Sequence, residues 1–211
     1  MDKQSHDEEF LLAEYQGLIE IDSSRNERLD RFLTTFITLA AAPWALYALV
    51  LKDNGNPGNF GVVPLPVASV FLTIGFIGFL VAMMFVQVRF TIILYTRAMN
   101  SIRGHFSARA NLGKVFKLPS SGRVPPYYER GGYISIAVAG MGFVNAAYVG
   151  FGIYHLSLWP HSSLARTFLS SGFFTAWFLL HIFYYRYQAR RRERHDTEAG
   201  GLQFVAASRR R

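Results

Sequence analysis

Phe32 to Leu51 reads FLTTFITLAAAPWALYALVL, a run of 20 residues without a charge, closed by Arg31 on one side and Lys52-Asp53 on the other. An α-helix rises about 1.5 Å per residue, so such a run spans roughly the 30 Å of a bilayer's hydrocarbon. Inside lipid each backbone N–H and C=O must be satisfied within the structure, which leaves helices and closed barrels as the only spanning forms. Three more apolar stretches follow, at about residues 67–87, 133–156 and 165–185. The chain therefore reads as all-α, a four-transmembrane-helix bundle made of two hairpins. An amphipathic cytoplasmic arm (residues 1–31) precedes the membrane domain (32–187), a basic cytoplasmic loop (89–130) joins the hairpins, and a basic cytoplasmic tail (188–211) follows.

The distribution of charge says more than its total. Residues 1–31 hold nine acidic and four basic side chains, a net of −5, although the whole chain carries +8. A basic chain can take nucleic acid or anionic lipid as a partner. Here the basic residues sit next to apolar runs, where they more commonly fix orientation and meet headgroups. Anionic headgroups at the cytoplasmic face are thus the expected partner, and nucleic acid is not. The absence of cysteine removes disulfides, thiolate metal sites and a thiol nucleophile. The first apolar run is too long for the core of a signal peptide, so no cleavable leader is expected.

In the arm, Leu11, Tyr15, Leu18, Leu29 and Phe32 recur at helical spacing, with Asp22 and Arg25 interrupting the stripe. Ser24-Arg25-Asn26-Glu27 has the pattern of a capping box. The expectation is one amphipathic helix over about 8–21 and a second from near Ser24 into the first span. The Leu11–Tyr15–Leu18 face is a candidate interaction surface, for docking or self-association.

The first span contains Thr34 and Thr38, then Pro43, expected to kink it. The segment from Asp53 to Gly61 is turn-rich. The second span is expected to protrude as a helix to about residue 103, and the segment 117–132 is rich in proline and glycine. In the third span Gly142, Ala146 and Gly150 form a small-residue stripe that lets another helix approach closely. Asn145 must find a partner, either another helix or a pore. In the fourth span Ser171 and Thr175 add polarity, and His181 lies near one end. That histidine reads as an interfacial ring bonded to a neighbour, with a proton site or haem ligand as the sharper alternative. The helix should continue through RYQARRRERH, and GGLQFVAASRRR reads as disordered.

The arm, the middle loop and the segment from Arg186 onward hold 20 of the 22 Lys and Arg residues. The positive-inside rule then puts both termini and the loop in the cytoplasm of a protein of the plasma (cell inner) membrane. No span holds paired carboxylates, and no phosphate loop, HExxH or GxSxG occurs. Neither an enzyme nor a resident metal or cofactor is expected, and an ion-coupled carrier lacks its mid-membrane ionisable groups.

What remains is a protein that acts by assembling. One reading is a homo-oligomeric pore or membrane-perturbing effector whose polar face is Thr34, Thr38, Asn145, Ser171 and Thr175. The other is a membrane-anchored scaffold or accessory subunit that recruits a partner protein through its arm and basic loop. The layout of residues 10–52, a helix passing through Arg25, Arg28 and Arg31 into the first span, loosely resembles small bacterial membrane proteins of the SLATT type and their four-span relatives. That resemblance implies a membrane-disrupting effector and carries no site residues with it.

Overall fold

The computed structural model describes residues 3–53, 65–109, 125–156 and 162–208. Four helices make up almost all of it: α1 (Lys3–Asp53), α2 (Leu65–Arg109), α3 (Tyr133–His155) and α4 (Ser163–Ser208). Among the described residues there is no strand. Each helix contains a stretch long and apolar enough to cross a membrane. With 23 residues, α3 alone has about the length of a bilayer's hydrocarbon, and the other three are about twice as long.

Several boundaries differ from the sequence reading. The arm and first span are one unbroken helix, so no capping box forms at Ser24. Such a box needs a non-helical serine, and no proline or glycine between Leu18 and Ala42 interrupts the helix. Asn26 instead uses its amide inside the helix, donating to the Asp22 carbonyl at 3.0 Å and its carboxylate at 3.2 Å. At the other end, α2 continues to Arg109, six residues past its expected end, and α4 continues past His195 to Ser208, through most of the stretch read as disordered. Extending an established helix needs no new nucleus, so α4 passes Gly200 and Gly201 despite their roughly 1 kcal/mol cost each. The turn-rich segment after Asp53 and residues 110–124 of the middle loop lie outside the described residues.

The chain divides into two compact units. One comprises 32–86 and 129–188 and holds the apolar packing. Its centre is aromatic: Tyr47, Phe71 and Tyr148 are buried together, joined by Trp44 and Phe151. Phe71 and Phe151 stack at 4.5 Å between centroids, and Tyr47 meets Phe151 edge-on at 5.0 Å, geometries that aromatic rings favour. Pro43 is buried inside α1. In the preceding turn the Ala40 carbonyl accepts a hydrogen bond from the Tyr148 hydroxyl.

Glycines set how close α3 comes to its neighbours. A Cβ on Gly75 would lie 2.7 Å from the Val149 side chain, and one on Gly152 would lie 2.7 Å from Leu72. Toward α4, a Cβ on Gly142 would meet that of His181 at 2.9 Å, and one on Gly150 would meet that of Phe174 at 3.3 Å. Ala146 between them is fully buried. The Gly142–Ala146–Gly150 stripe thus packs against helices of its own chain.

The second unit comprises 1–31, 87–128 and 189–211. It brings the arm, the middle segment and the tail together. Leu18 and Leu29 of the arm are buried, and Leu11, Tyr15, Asp22 and Arg25 are half-buried along one face. Polar bonds hold that face to α2: the Arg103 Nε donates to the Tyr15 hydroxyl at 2.7 Å, Thr96 donates to Asp22 at 3.4 Å, and the Arg25 guanidinium lies 5.3 Å from the Tyr95 ring centre.

Candidate functional site

Two polar clusters are built into the chain, one in each unit. In the first unit, Asn145 of α3 is wholly buried and His181 of α4 is 2% exposed. Asn145 Nδ2 and His181 Nε2 are 3.1 Å apart, and His181 Nδ1 is 2.9 Å from the Trp177 carbonyl. A carbonyl only accepts, so Nδ1 carries a proton. In a neutral ring Nε2 is then the acceptor, and the asparagine amide donates to it. This assigns the tautomer from the bond network. Phe79 closes the pair edge-on, 4.9 Å from the imidazole. On α2, Gly78 leaves the space that the Asn145 amide occupies, since a Cβ there would collide with it. Among the described residues Asn145 Oδ1 has no hydrogen-bond partner.

The five residues expected to share a polar face do not come together within one chain. Asn145 points inward and is bonded to His181, whereas Thr34, Thr38, Ser171 and Thr175 are exposed. The two threonine hydroxyls of Thr38 and Thr175 are tied to their own helices: Thr38 donates to the Thr34 carbonyl at 3.0 Å and Thr175 to the Ser171 carbonyl at 2.8 Å. A threonine that bonds back this way loses its demand for a polar lumen. Ser171 and Thr175 border an open-sided groove of about 380 Å³ whose other walls include Trp44, Gly150, Phe151 and Tyr154. Gly150 contributes its carbonyl to Ser170, at 2.7 Å.

The cluster in the second unit centres on Arg97 of α2, which is 6% exposed. Nε donates to the Pro125 carbonyl at 2.9 Å, Nη1 to Asp196 at 2.8 Å, and Nη2 to Glu193 at 2.9 and 3.2 Å. The guanidinium lies over the Tyr127 ring at 4.2 Å. Tyr127 is buried and in turn donates its hydroxyl to Asp196 at 2.8 Å. Burial pushes the Tyr127 phenol well above its ordinary range, and the bond to Asp196 adds to the rise. Phe90 supports the ring edge-on, and Arg192 donates to Gln87 beside it. A buried guanidinium needs its forked donors filled. Arg97 has them filled from α4 and from the segment before α3, so the cluster works as a clamp rather than an open site.

The sequence reading missed this clamp, taking Arg97 as one more basic residue of a cytoplasmic loop. A signal was present: Glu193 and Asp196 stand three apart within an arginine run, one helical turn of acid on an otherwise basic helix. The Leu11–Tyr15–Leu18 stripe, expected as an interaction face, is turned toward the chain's own α2 and is not a free surface. Among the described residues no three His, Asp or Glu side chains gather as metal ligands would. No known protein family, curated protein or solved structure matches the chain.

Proposed function

We propose that the protein is an integral, multi-pass protein of the plasma membrane, with both termini cytoplasmic, that acts without catalysis as a homo-oligomer which perturbs or perforates the membrane. In this reading each chain seals its own interior, and any pore forms between copies rather than inside one. The assembling surface is the outer face of α4.

One observation carries the proposal. Half of the residues in the most apolar stretch of α3 are buried, against 6% of those in α4. The exposed side of α4 presents Ser163, Thr167, Ser171 and Thr175 four residues apart, with Gly172 and Ala176 beside them. A Cβ on Gly172 would meet nothing within 4 Å. Small residues and hydroxyls are what spanning helices use to associate, since apolar bulk gains nothing over lipid. The adjoining groove offers a seat for a bulky side chain from a second copy, and Phe168 of α4 protrudes. The outward hydroxyls also supply the polar lining that an intersubunit pore needs. The likeness of the arm and first span to SLATT-type effectors agrees with this reading.

The chain has no cysteine, so single cysteines report contacts cleanly. With cysteine at Gly172 or Ala176, mild oxidation in nanodiscs should yield a disulfide-linked dimer, and cysteine at Gly140 on α3 should not. Liposomes holding the wild-type protein should release a small trapped ion. A monomer that forms no α4 crosslink and leaves liposomes tight would overturn the proposal.

A further inference from the structure

The arm of α1 turns one face toward α2 and leaves the opposite ridge bare. Glu9, Glu20 and Glu27 lie 11 and 7 residues apart, which puts them on one line of the helix, and all three are exposed. Leu12 and Ile19 are exposed alongside. Glu27 pairs with Arg31 one turn on, at 3.6 Å, with both side chains in the open. Among the described residues Glu9 and Glu20 form no ion pair.

The tail of α4 is the mirror of this. Arg190, Arg191 and Arg194 are exposed and, among the described residues, form no ion pair. The acids that would neutralise them along the helix, Glu193 and Asp196, are committed to Arg97. The clamp therefore strips the tail of its own counter-charges. The arm carries a net of −5, and residues 186–211, with eight arginines and three acids, carry +5.

We propose that the Glu9–Glu20–Glu27 ridge of one copy docks on the Arg190–Arg191–Arg194 face of the next, outside the membrane. The inference rests on the multi-pass, homo-oligomeric reading above, with arm and tail on one side of the bilayer. An anionic headgroup surface repels the ridge, so lipid does not cover it. The chain itself presents the complementary charge in equal number. Leu12 and Ile19 give the contact an apolar part that salt does not screen. The contact joins two different patches, so it is heterologous, and repetition of a heterologous contact closes a ring when its rotation allows. A ring is also the symmetry that a pore between copies requires.

The test uses the full-length protein in nanodiscs at about 0.1 M salt, near a Debye length of roughly 10 Å. Two variants are made, Glu9→Arg/Glu20→Arg/Glu27→Arg and Arg190→Glu/Arg191→Glu/Arg194→Glu, and their helicity is checked. Each alone should weaken assembly about tenfold or more, because like charges then face each other. Mixed in equal amounts, they should assemble again to within about twofold of wild type, since every arm meets an opposite tail. Should a reversed variant lose its helicity, the same ridges neutralised with glutamine should still weaken assembly, and raised salt should weaken the wild type. Unchanged mass in both variants, or failure of the mixture to recover, overturns the contact. If α4 cysteines still crosslink in that case, the oligomer stands and only the arm–tail docking falls. A wild-type monomer with no α4 crosslink removes the oligomer itself.

Discussion

Asn145 and His181 hold each other across α3 and α4, with amide nitrogen and ring nitrogen 3.1 Å apart. The direction of that bond follows from the Trp177 carbonyl, which fixes the proton on the far side of the ring. Neither polar group can turn to water, so each depends on the other. His181→Leu should therefore destabilise the protein by about 1–3 kcal/mol, because it orphans a buried amide. Asn145→Leu together with His181→Leu should cost less than the sum of the two single changes. Unfolding in mixed micelles, read as a double-mutant cycle, checks the coupling. Strict additivity would show that the pair contributes nothing.

Gly78 is the floor of the same pocket. A methyl group there would strike the Asn145 amide, and the amide cannot retreat from a buried position. Gly78→Ala is expected to cost about 1–3 kcal/mol, the usual range for overpacking a tight contact. Shortening the neighbour with Asn145→Ala should restore much of that loss, since it removes the colliding atoms. Thermal unfolding of the two single variants and the double variant decides it.

Much of the fold is legible in the sequence, because lipid imposes simple demands. The uncharged runs near Phe32–Leu51 and Tyr133–Leu156 mark helices long and apolar enough to cross a membrane, and the Gly142–Ala146–Gly150 stripe marks close packing. That Asn145 needed a partner was legible as well. Which partner it takes was not, since His181 is 36 residues away and only the depth and rotation of two helices bring them together. The Ser24 box misled because the pattern of a cap is local, and an unbroken helix satisfies Asn26 equally well through Asp22. The clamp on Arg97 joins residues almost 100 positions apart, beyond the reach of any spacing rule.

Arg97 should be the least replaceable cation among the described residues. Arg97→Met takes from Glu193 and Asp196 the guanidinium that they share, and breaking a buried ion pair from one side costs roughly 3–5 kcal/mol. The two carboxylates are partly exposed, which places the expected loss at the lower end. Arg97→Lys keeps the charge but cannot fill the forked contacts to Glu193, Asp196 and Pro125 at once, so it should recover only part of the loss. Hydrogen exchange at Tyr127 and along residues 189–196 should rise in both variants, more in Met than in Lys. Equal exchange in all three proteins would show that the clamp does not hold the tail.

Tyr127 gives the clamp a signature in pH. Its phenol is buried and donates to Asp196, so ionisation would strand one negative charge against another. The folded protein therefore holds the neutral form to higher pH than the unfolded chain, whose phenol titrates near 10.0. A group raised in this way contributes its full stability below the unfolded value. Above pH 10 the unfolded chain loses the proton first, and the contribution fades as the pH climbs toward the folded value. Spectrophotometric titration should show buried tyrosines that ionise later than the exposed ones, and Tyr127→Phe should reduce that late component by one phenol. The phenylalanine variant should also lose less stability between pH 9 and 11 than the wild type. An unchanged titration curve in Tyr127→Phe would mean that the phenol ionises as freely as a surface tyrosine.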